Sequence, residues 1–579
     1  MAFKYATIDI EATGLNRFKE EITFIGIGLA EELGLPIKKY LIYDMSDEDD
    51  VRKCLNTFRK IKDKKIKCVW QNGKFDTLFI EHKYGVLLPI DYDTLLLGNV
   101  YDMAAEHGLK KMAYNYLGIP DWDVSKKEKT SRDRAKVEPY LRKDVQYTWE
   151  LCCFFVNELW DKPKQVRIYK KLLLPAYKMY RRAEKRGIYI NLEELKEVAD
   201  KYYDEQKKAL KKLTDRYDIN WNSPAQVSEA LYGEKGEGLP ILKTTDSGNP
   251  SSDAATLKRL KGQGYEIAED ILNYKFYNGA ITKFIKAWPE YAKYDGRIRP
   301  HFNISDVRTG RTSCSDPNLQ QVPRNPELRN RFGAPKGRKF IEADYSQIEL
   351  RGAAHYSKDP VIIEAYREGK DLHMITALGL TGKKDPSEVT KEERSRAKPV
   401  NFGFLYGMGA GGFVDYAFNS YNTIFTREEA EYYRDRFFMT YPRLLEWHEE
   451  QKQKCLRDGG VYDLFGRFRA LPDIYSKNPF KRSTAERCAI NTPVQGTCSN
   501  ILVGAATQVD KELGKELGVK VVGTVHDAML LDFPEECEED VVREVGRIMC
   551  HPKILDEFGI ELLVPIVADV GVGAWGIGH

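Results

Sequence analysis

Two segments, far apart in this chain, each contain an apolar, strand-like run that ends at an aspartate. In KFIEADYSQIELR, Phe340 and Ile341 precede Asp344. In VVGTVHDAMLLDF, apolar residues flank His526 and Asp527, which predicts a hairpin with this polar pair at its tip. Two acidic strand ends at the rim of one sheet can hold two divalent cations that activate a hydroxyl group and clamp a phosphate. Each segment alone is also compatible with an ordinary surface turn.

The segment RSRAKPVNFGFLYG places two cations and two aromatic rings along one face of a predicted helix. They recur every four residues: Arg394, Lys398, Phe402 and Tyr406. A nucleoside triphosphate has the same polarity, with charged oxygens at one end and a flat base at the other. An ordinary amphipathic helix with a basic end and a core end has this spacing too. Pro399 inside the pattern argues against such a core helix.

In their order and spacing, these segments resemble the family A DNA polymerases, the DNA polymerase I type, including its bacteriophage members. The resemblance begins at RTGRTSCSDPNLQQVPR and also includes DLHMITA, LFGRFRALPDI and ERCAINTPVQGT. It implies that Asp344 and Asp527 are catalytic and bind two Mg²⁺ ions, with Mn²⁺ as an alternative, and that Lys398 is catalytic as well. It also implies a set of residues that contact the nucleotide or the primer-template: Arg394, Lys398, Phe402, Tyr406, His373, Glu349, Gln347, Arg311, Arg487, Asn491, Gln495 and His526.

The same resemblance assigns roles around the incoming nucleotide. Phe402 would stack beside it, Tyr406 would lie by the template base, and Glu349 would crowd the 2′ position of the sugar. The family usually has His-Asp-Glu at the hairpin tip, whereas Ala528 follows Asp527 here, so a third carboxylate is absent from that position. Two aspartates suffice for a two-metal site.

The first part of the chain carries a second acidic pattern. Asp9 and Glu11 in YATIDIEATGL share one face of a predicted strand, where they repel each other unless a cation lies between them. Asp76 begins an apolar helix after a short strand, and Tyr140 and Asp144 share one face of another helix. A lone DxE is more often a solvated edge strand. The order DxE, N-x2-F-D and Y-x3-D resembles the DEDDy 3′→5′ proofreading exonucleases, which implies two further Mg²⁺ ions at the four acids and a catalytic Tyr140.

The fold class that follows is α/β and multidomain: an RNase H-like exonuclease domain followed by a right-hand polymerase with thumb, palm and fingers. A helix is expected from 165 to about 186, with Pro175 as a point where it can kink. The lysine-rich helical stretch after it is typical of the family's thumb, although helical bundles of this composition are common. The expected domains are an exonuclease domain at 1–160, a thumb at 161–292, a first palm part at 293–354, fingers at 355–475 and a second palm part at 476–579.

Composition agrees with a globular chain of several domains, since 42% of the 579 residues are hydrophobic and 31% are charged. The net charge of +3 does not predict nucleic-acid binding by itself. The ten cysteines show no C-x-x-C spacing, so neither a disulfide framework nor a zinc site is indicated. GMGAGG at 407–412 satisfies G-x-G-x-x-G but follows a helix, which argues against a dinucleotide site. With no apolar run of membrane length, we expect no membrane partner and a cytoplasmic location.

Together these features predict a DNA-directed DNA polymerase with a proofreading exonuclease, acting as a monomer on primer-template DNA and deoxynucleoside triphosphates. Because no residues remain for the 5′-nuclease domain of repair members, we expect a replicative enzyme of a phage, working in the host cytoplasm. One alternative is a single-subunit RNA polymerase, against which the exonuclease pattern and Glu349 argue. The other is a non-catalytic nucleic-acid-binding protein, against which the presence of Asp344, Asp527, Arg394 and Lys398 argues. The sequence does not predict processivity, fidelity or replisome partners.

Overall fold

The computed structural model describes residues 3–576. Its N-terminal part is a five-stranded sheet in the order β3-β2-β1-β4-β5, in which β1, β2 and β3 pair antiparallel and β1, β4 and β5 pair parallel. The strands are β1 Tyr5–Ala12, β2 Ile22–Ala30, β3 Lys39–Asp44, β4 Lys67–Trp70 and β5 Tyr92–Asp93. The helices are α1 Glu48–Asp63, α2 Lys74–Tyr84, α3 Thr94–Tyr101, α4 Leu109–Leu117, α5 Lys126–Lys129 and α6 Arg134–Leu159.

Helix α6 packs directly on this sheet and brings its own polar residues to the edge of β1. Every residue of β2 is buried, as its run ITFIGIGLA requires of a strand covered on both faces. A Cβ at Gly26 would lie only 2.9 Å from Cγ of Leu141, so glycine lets the helix approach the strand closely. Tyr140 and Asp144 lie on α6 beside this contact.

A continuous helical run follows, made of α7 Pro163–Arg167, a π-helical turn over Ile168–Leu173 and α8 Leu174–Arg186. Pro175 lies in the first turn of α8 and directly follows the π-helical turn, which has already changed the hydrogen-bond pattern there. The expected helix is thus present, and its irregularity precedes the proline.

Helix α8 lies between the N-terminal domain and the C-terminal part of the chain. On one side the hydroxyl of Tyr177 donates to Asn72, at 2.9 Å. On the other side the hydroxyl of Tyr180 lies 2.9 Å from the hydroxyl of Thr524. Tyr177 and Tyr180 are fully buried, so these bonds connect the two parts of the molecule through its interior.

The next region is helical and has a small hydrophobic core of its own around Trp221, Leu257 and Ile271. Short strands at its two ends join the sheet β10-β6-β7. Its elements are β6 Ile188–Ile190, α9 Leu192–Thr214, α10 Pro224–Tyr232, α11 Ala254–Gly262, α12 Glu266–Ala280, a π-helical turn Ile281–Ile285, α13 Ala287–Ala292 and β7 Arg297–Ile298.

A four-stranded antiparallel sheet in the order β14-β15-β11-β16 forms the centre of the C-terminal part, and a helical insertion separates β11 from the other three strands. Before the insertion lie β8 His301–Asn303, β9 Ser313–Ser315, α14 Pro326–Arg329, β10 Phe332–Gly333 and β11 Arg338–Tyr345. The insertion contains α15 Ile348–Ser357, α16 Pro360–Arg367, α17 Leu372–Thr381, α18 Lys391–Leu405, α19 Ala410–Tyr421, α20 Arg427–Thr440, α21 Pro442–Asp458, β12 Gly460–Tyr462 and β13 Phe468–Ala470. After it come α22 Pro479–Glu516, β14 Lys520–Val525, β15 Ala528–Pro534, α23 Glu538–Cys550, α24 Lys553–Phe558 and β16 Ala568–Val572.

Among the described residues, no helix combines the length and the apolar composition that crossing a bilayer requires.

Candidate active sites

Three acids meet at the edge of the N-terminal sheet. Asp9 and Glu11 project from one face of β1, and Asp144 comes from α6. One carboxylate oxygen from each lies within 4.8 Å of the others. Oxygens at this spacing fit a hard divalent cation, which takes oxygen ligands at about 2.0 to 2.6 Å. The structure therefore brings together three of the four acids predicted for this site.

The fourth predicted acid, Asp76, lies on a helix and contacts the same strand from there. It belongs to the first turn of α2 and is buried. Its Oδ1 accepts the backbone N–H of Ile10 at 3.2 Å, so it approaches β1 between Asp9 and Glu11. Its charge also helps to raise the pKa of Asp9, after burial and the charge of Asp144. Asp76 is thus adjacent to the three-acid group but is not one of its members.

Burial and mutual repulsion raise the pKa values of Asp9, Glu11 and Asp76, which favours their protonated forms when no cation is present. Burial, followed by the charge of Asp144, raises the pKa of Glu11 to about 8. Burial also raises the pKa of Asp76 to about 8 and that of Asp9 well above its ordinary value, in the last case reinforced by Asp144 and Asp76. A bound cation supplies the positive charge that these protons otherwise provide.

Two residues that the sequence did not reveal complete this pocket. Nζ of Lys110, on α4, lies 2.6 Å from Oδ1 of Asp144 and donates to the hydroxyl of Tyr140 at 3.0 Å. Nε1 of Trp122 donates to the same oxygen of Asp144 at 2.7 Å. Neither residue belongs to a spaced motif, because α4 and the loop after it reach α6 only through the tertiary fold.

The second acidic pair lies at one end of the C-terminal sheet. The register pairs Asp344 with Ala528, the residue after Asp527. The N–H of Tyr345 donates to the backbone carbonyl of Asp527 at 3.3 Å, which fixes the hairpin tip beside the end of β11. His526 and Asp527 form the two-residue turn predicted from the sequence, with His526 at a φ of +54°. Burial raises the pKa of Asp527, while Arg311 and His526 oppose this shift.

Asp344 has one paired residue on each neighbouring strand, and these two residues decide whether a third carboxylate lies next to it. Ala528 is buried in β15 opposite Asp344 and offers no carboxylate there. On the other side, β16 places Asp569 directly opposite Asp344, and Asp569 is exposed. Residues directly opposite each other share a face of the sheet. The sequence alone did not single out Asp569, because its register with β11 is set by tertiary pairing.

The predicted stripe is present on α18 and on the residue that follows it. Arg394, Lys398 and Phe402 on the helix and Tyr406 directly after it are partly exposed, whereas the positions between them from Ala397 onward are buried except for the stripe itself. Thr390 and Glu393 form a capping box that fixes the start of the helix, and Pro399 lies within it. Nε of Arg394 lies 2.6 Å from Oδ2 of Asp371.

The aromatic end of the stripe belongs to a hydrogen-bonded network. The hydroxyl of Tyr406 donates to Glu349, and Arg311 donates to the other carboxylate oxygen of the same residue. The charge of Arg311 also opposes the rise in the pKa of Asp527 that burial causes. Three residues predicted from the resemblance are thereby bonded to one another.

The remaining predicted contact residues lie around this network. Nδ2 of Asn401 lies 2.7 Å from Nδ1 of His373, and burial lowers the pKa of His373 to about 4, so this side chain is neutral at pH 7. Gln347 accepts the hydroxyl of Tyr366 at 2.9 Å. Exposed or partly exposed positions recur every fourth residue on the otherwise buried middle of α22, at Arg487, Asn491 and Gln495. His526 is exposed at the hairpin tip.

Comparison with known proteins assigns a family to each of two parts of the chain. Residues 190–576 match the family described as DNA polymerase family A, and residues 2–160 match the family described as 3'-5' exonuclease. The chain is 32% identical to DNA polymerase I of Pseudomonas aeruginosa, over 99% of this chain and 63% of that protein. It is 30% identical to DNA polymerase I of Aquifex aeolicus, over 94% of this chain and 91% of that protein. The chain thus spans less than two thirds of the Pseudomonas relative.

A solved structure supports the same fold. The POL domain of Pol1 from M. smegmatis, in complex with DNA primer-template and dNTP, superposes with a TM-score of 0.84 at 24% identity, covering 99% of this chain and 96% of that one. The predicted fold class is confirmed: an exonuclease domain precedes a polymerase of this fold. Because the family match covers the helical region, the sheet with its acidic pair and the stripe of α18, the chain belongs to DNA polymerase family A.

Proposed function

We propose that this protein is a DNA-directed DNA polymerase that extends a primer on a DNA template and removes mispaired 3′ ends in a separate exonuclease site. The observation that carries the proposal is the hydrogen-bonded network of Tyr406, Glu349 and Arg311 at the aromatic end of the stripe, in which the charge of Arg311 also acts on Asp527 of the acidic pair. The primer-template and dNTP named for the M. smegmatis structure support DNA and deoxynucleotides as the partners.

At the polymerase site, Asp344 and Asp527 would hold two Mg²⁺ ions, or Mn²⁺, since both families imply divalent metal use. When bound, the metal ions activate the primer 3′-hydroxyl and stabilise charge on the phosphate. Arg394 and Lys398 bind the triphosphate, and Arg394 exchanges its bond with Asp371 for phosphate oxygens. Lys398 lies between Arg394 and Phe402, where its ammonium can neutralise charge on the leaving pyrophosphate.

The other residues of this site select and position the substrate. Phe402 offers a partly exposed ring on which the base and sugar pack. Glu349 is held by Arg311 and Tyr406, and such a fixed side chain can wall off the 2′ position of the sugar. His373, neutral and held by Asn401, binds phosphate as a hydrogen-bond donor and not as a cation. Gln347 and His526, at the rim, and Arg487, Asn491 and Gln495, on α22, contact the primer-template.

At the exonuclease site, Asp9, Glu11, Asp76 and Asp144 would hold two Mg²⁺ ions, which when bound activate a water molecule for attack on the terminal phosphodiester. Burial together with the charges of Asp144 and Glu11 raises the pKa of Tyr140, so its hydroxyl keeps its proton and acts as a donor. Tyr140 orients the water or the phosphate through this proton.

We also propose domain limits, an oligomeric state and a biological role. The domain limits are those given above, with a thumb at 161–292, palm segments at 293–354 and 476–579, and fingers at 355–475. The protein acts as a monomer in DNA replication. The relatives named above are bacterial, so the phage origin expected from the sequence stays a prediction.

Incubation of a 5′-labelled primer-template with Mg²⁺, with and without deoxynucleotides, tests the function. We expect longer products with deoxynucleotides and shorter ones without them. A parallel reaction with ribonucleotides separates this function from that of an RNA polymerase, which would extend with ribonucleotides instead. Binding of the DNA with neither extension nor shortening would contradict the proposal and favour a non-catalytic protein.

A further inference from the structure

The exonuclease pocket contains a cation supplied by the protein itself. The ammonium of Lys110 lies among the acids, 2.6 Å from Oδ1 of Asp144. It also lies 4.5 Å from the ring centre of Tyr140 and 4.9 Å from that of Trp122. Its side chain is 20% exposed, whereas the next residue, Lys111, is exposed to solvent. A lysine enclosed by two aromatic rings and a buried carboxylate has a fixed position, unlike a surface lysine.

This position leaves Asp144 able to bind a metal ion. Lys110 and Trp122 both bind the same oxygen, Oδ1. They therefore orient the carboxylate through this one oxygen and leave the other, Oδ2, as a possible metal ligand. Groups that hold a metal-binding carboxylate in this way commonly set both its orientation and its affinity.

Lys110 also determines what Tyr140 can do. An ammonium group has only donors, so in the bond of 3.0 Å the hydroxyl oxygen of Tyr140 is the acceptor. The proton of the hydroxyl must then point away from Lys110. That proton is directed to the acidic side of the pocket, where Asp144 is within hydrogen-bonding reach and where a water molecule or a phosphate oxygen would bind.

We propose that Lys110 is a positioning residue of the exonuclease site, which fixes the hydroxyl of Tyr140 as a donor toward the substrate and orients Asp144 by its Oδ1. The inference rests on the proposed exonuclease function of this pocket. It extends the predicted set of four acids and a tyrosine by a residue from α4, a helix that carries none of them.

The test compares Lys110→Met, which keeps the length of the side chain but loses its charge, with Lys110→Arg, which keeps the charge. Lys111→Met is the matched control, because it removes the same charge one residue away on the exposed side of α4. Degradation of labelled single-stranded DNA is measured under single-turnover conditions. Mn²⁺ binding is measured separately by electron paramagnetic resonance, and the melting temperature reports the folded state.

We expect Lys110→Met to slow degradation about tenfold or more, the usual cost of removing a residue that orients a metal ligand. Lys110→Arg should restore part of the rate, and Lys111→Met should match the parent. Mn²⁺ should bind Lys110→Met at least as tightly as the parent, because a neighbouring positive charge is gone. In a Tyr140→Phe background, adding Lys110→Met should cost much less than it does alone, since Lys110 acts largely through the missing hydroxyl.

Three results would overturn the inference. A rate for Lys110→Met within twofold of the parent excludes a positioning role. Loss of Mn²⁺ binding and of the rate together with a lowered melting temperature shows that Lys110 only maintains the pocket's structure. Independent, multiplicative effects of Lys110→Met and Tyr140→Phe show that it does not act through the tyrosine. Asp9→Ala with Glu11→Ala separates these results from failure of the proposed function: if degradation survives that change, the pocket is not the exonuclease site at all.

Discussion

The two acidic sites differ in how far the protein assembles them without a metal ion. In the N-terminal domain, carboxylate oxygens of three acids already lie within 4.8 Å of one another, and the ammonium of Lys110 contacts one of these acids, Asp144. In the C-terminal sheet, Asp344 and Asp527 are brought together by strand register, and Arg311 is the nearby cation. The first site brings several mutually repelling carboxyl groups together, whereas the second consists of two aspartates from paired strands. The difference suggests that cation binding governs the stability of the exonuclease site and mainly the chemistry of the polymerase site.

The largest expected effect separates the two sites completely. Asp527→Ala should reduce primer extension by about a thousandfold or more and leave degradation near the parent rate, because it removes charge stabilisation of roughly 4 kcal/mol. Asp9→Ala with Glu11→Ala should do the reverse. Each variant serves as the control for the other, with both activities measured on the same labelled primer-template. Extension by Asp527→Ala within a few-fold of the parent would mean that the hairpin tip does not bind metal.

A second prediction concerns the ring of Phe402 on the polymerase stripe, which is proposed to pack against the base and sugar of the incoming nucleotide. Phe402 supplies a stacking surface without a hydroxyl donor, so a nucleotide that lacks its 3′-hydroxyl is poorly organised. The parent should therefore discriminate strongly against dideoxynucleotides. Phe402→Tyr should relax this discrimination about tenfold or more, which corresponds to about 1.4 kcal/mol. The ratio of kcat/KM for deoxy and dideoxy substrates in both proteins measures it. An unchanged ratio would show that Phe402 does not face the sugar.

The third prediction tests whether the network beside Asp527 also selects the sugar. Glu349→Ala should increase ribonucleotide incorporation relative to deoxynucleotide several-fold, because it removes a side chain held at the 2′ position. Overall extension should fall too, since Arg311 and Tyr406 lose their shared partner. Competition between the two substrates gives the ratio, with exposed Glu392→Ala as the control. The sugar-selecting role is wrong if the ratio in Glu349→Ala equals that of the parent.

The smallest expected effect is on the melting temperature, and it tests directly whether cation binding stabilises the exonuclease site. Folding raises the pKa of Glu11 and Asp76 from their ordinary values to about 8, so the folded protein binds these protons more tightly than the unfolded chain. This stabilisation is complete below pH 4 and is lost as the pH rises through 8. With a chelator present, the melting temperature should be lower at pH 9 than at pH 6 by on the order of 5 °C.

Magnesium should remove most of that fall, because the cation replaces the lost protons. Melting curves at both pH values, with chelator and with Mg²⁺, provide the measurement. The Asp9→Ala, Glu11→Ala variant is the control and should show a weaker dependence on pH. An equal fall with and without Mg²⁺ would show that the acids do not share a cation.

Local patterns revealed much of both sites. The alternation around Asp9 and Glu11, the hairpin at Asp527 and the four-residue spacing on α18 follow from the periods of strands and helices, and the structure contains all three. Domain limits and the roles of the contact residues remain predictions, because neither the fold nor the matches test them.

Tertiary contacts account for what the sequence did not reveal. Lys110 and Trp122 reach Asp144 only because α4 and its following loop fold back onto α6. Asp569 faces Asp344 through a strand register that no local pattern fixes. The π-helical turn before Pro175 likewise depends on packing and carries no sequence signal of its own.

Helix α8 bears on how a primer end would move between the two candidate sites. Tyr177 bonds it to the exonuclease domain and Tyr180 bonds it to Thr524, three residues before Asp527, through buried contacts on both sides. Because α8 is bonded on both sides, it connects the two candidate sites through the interior of the protein. For the proposed function, the primer strand would then have to unpair far enough to reach from one site to the other. Mispaired ends unpair more readily than matched ones, so melting of the duplex would be the step that distinguishes errors from correct ends.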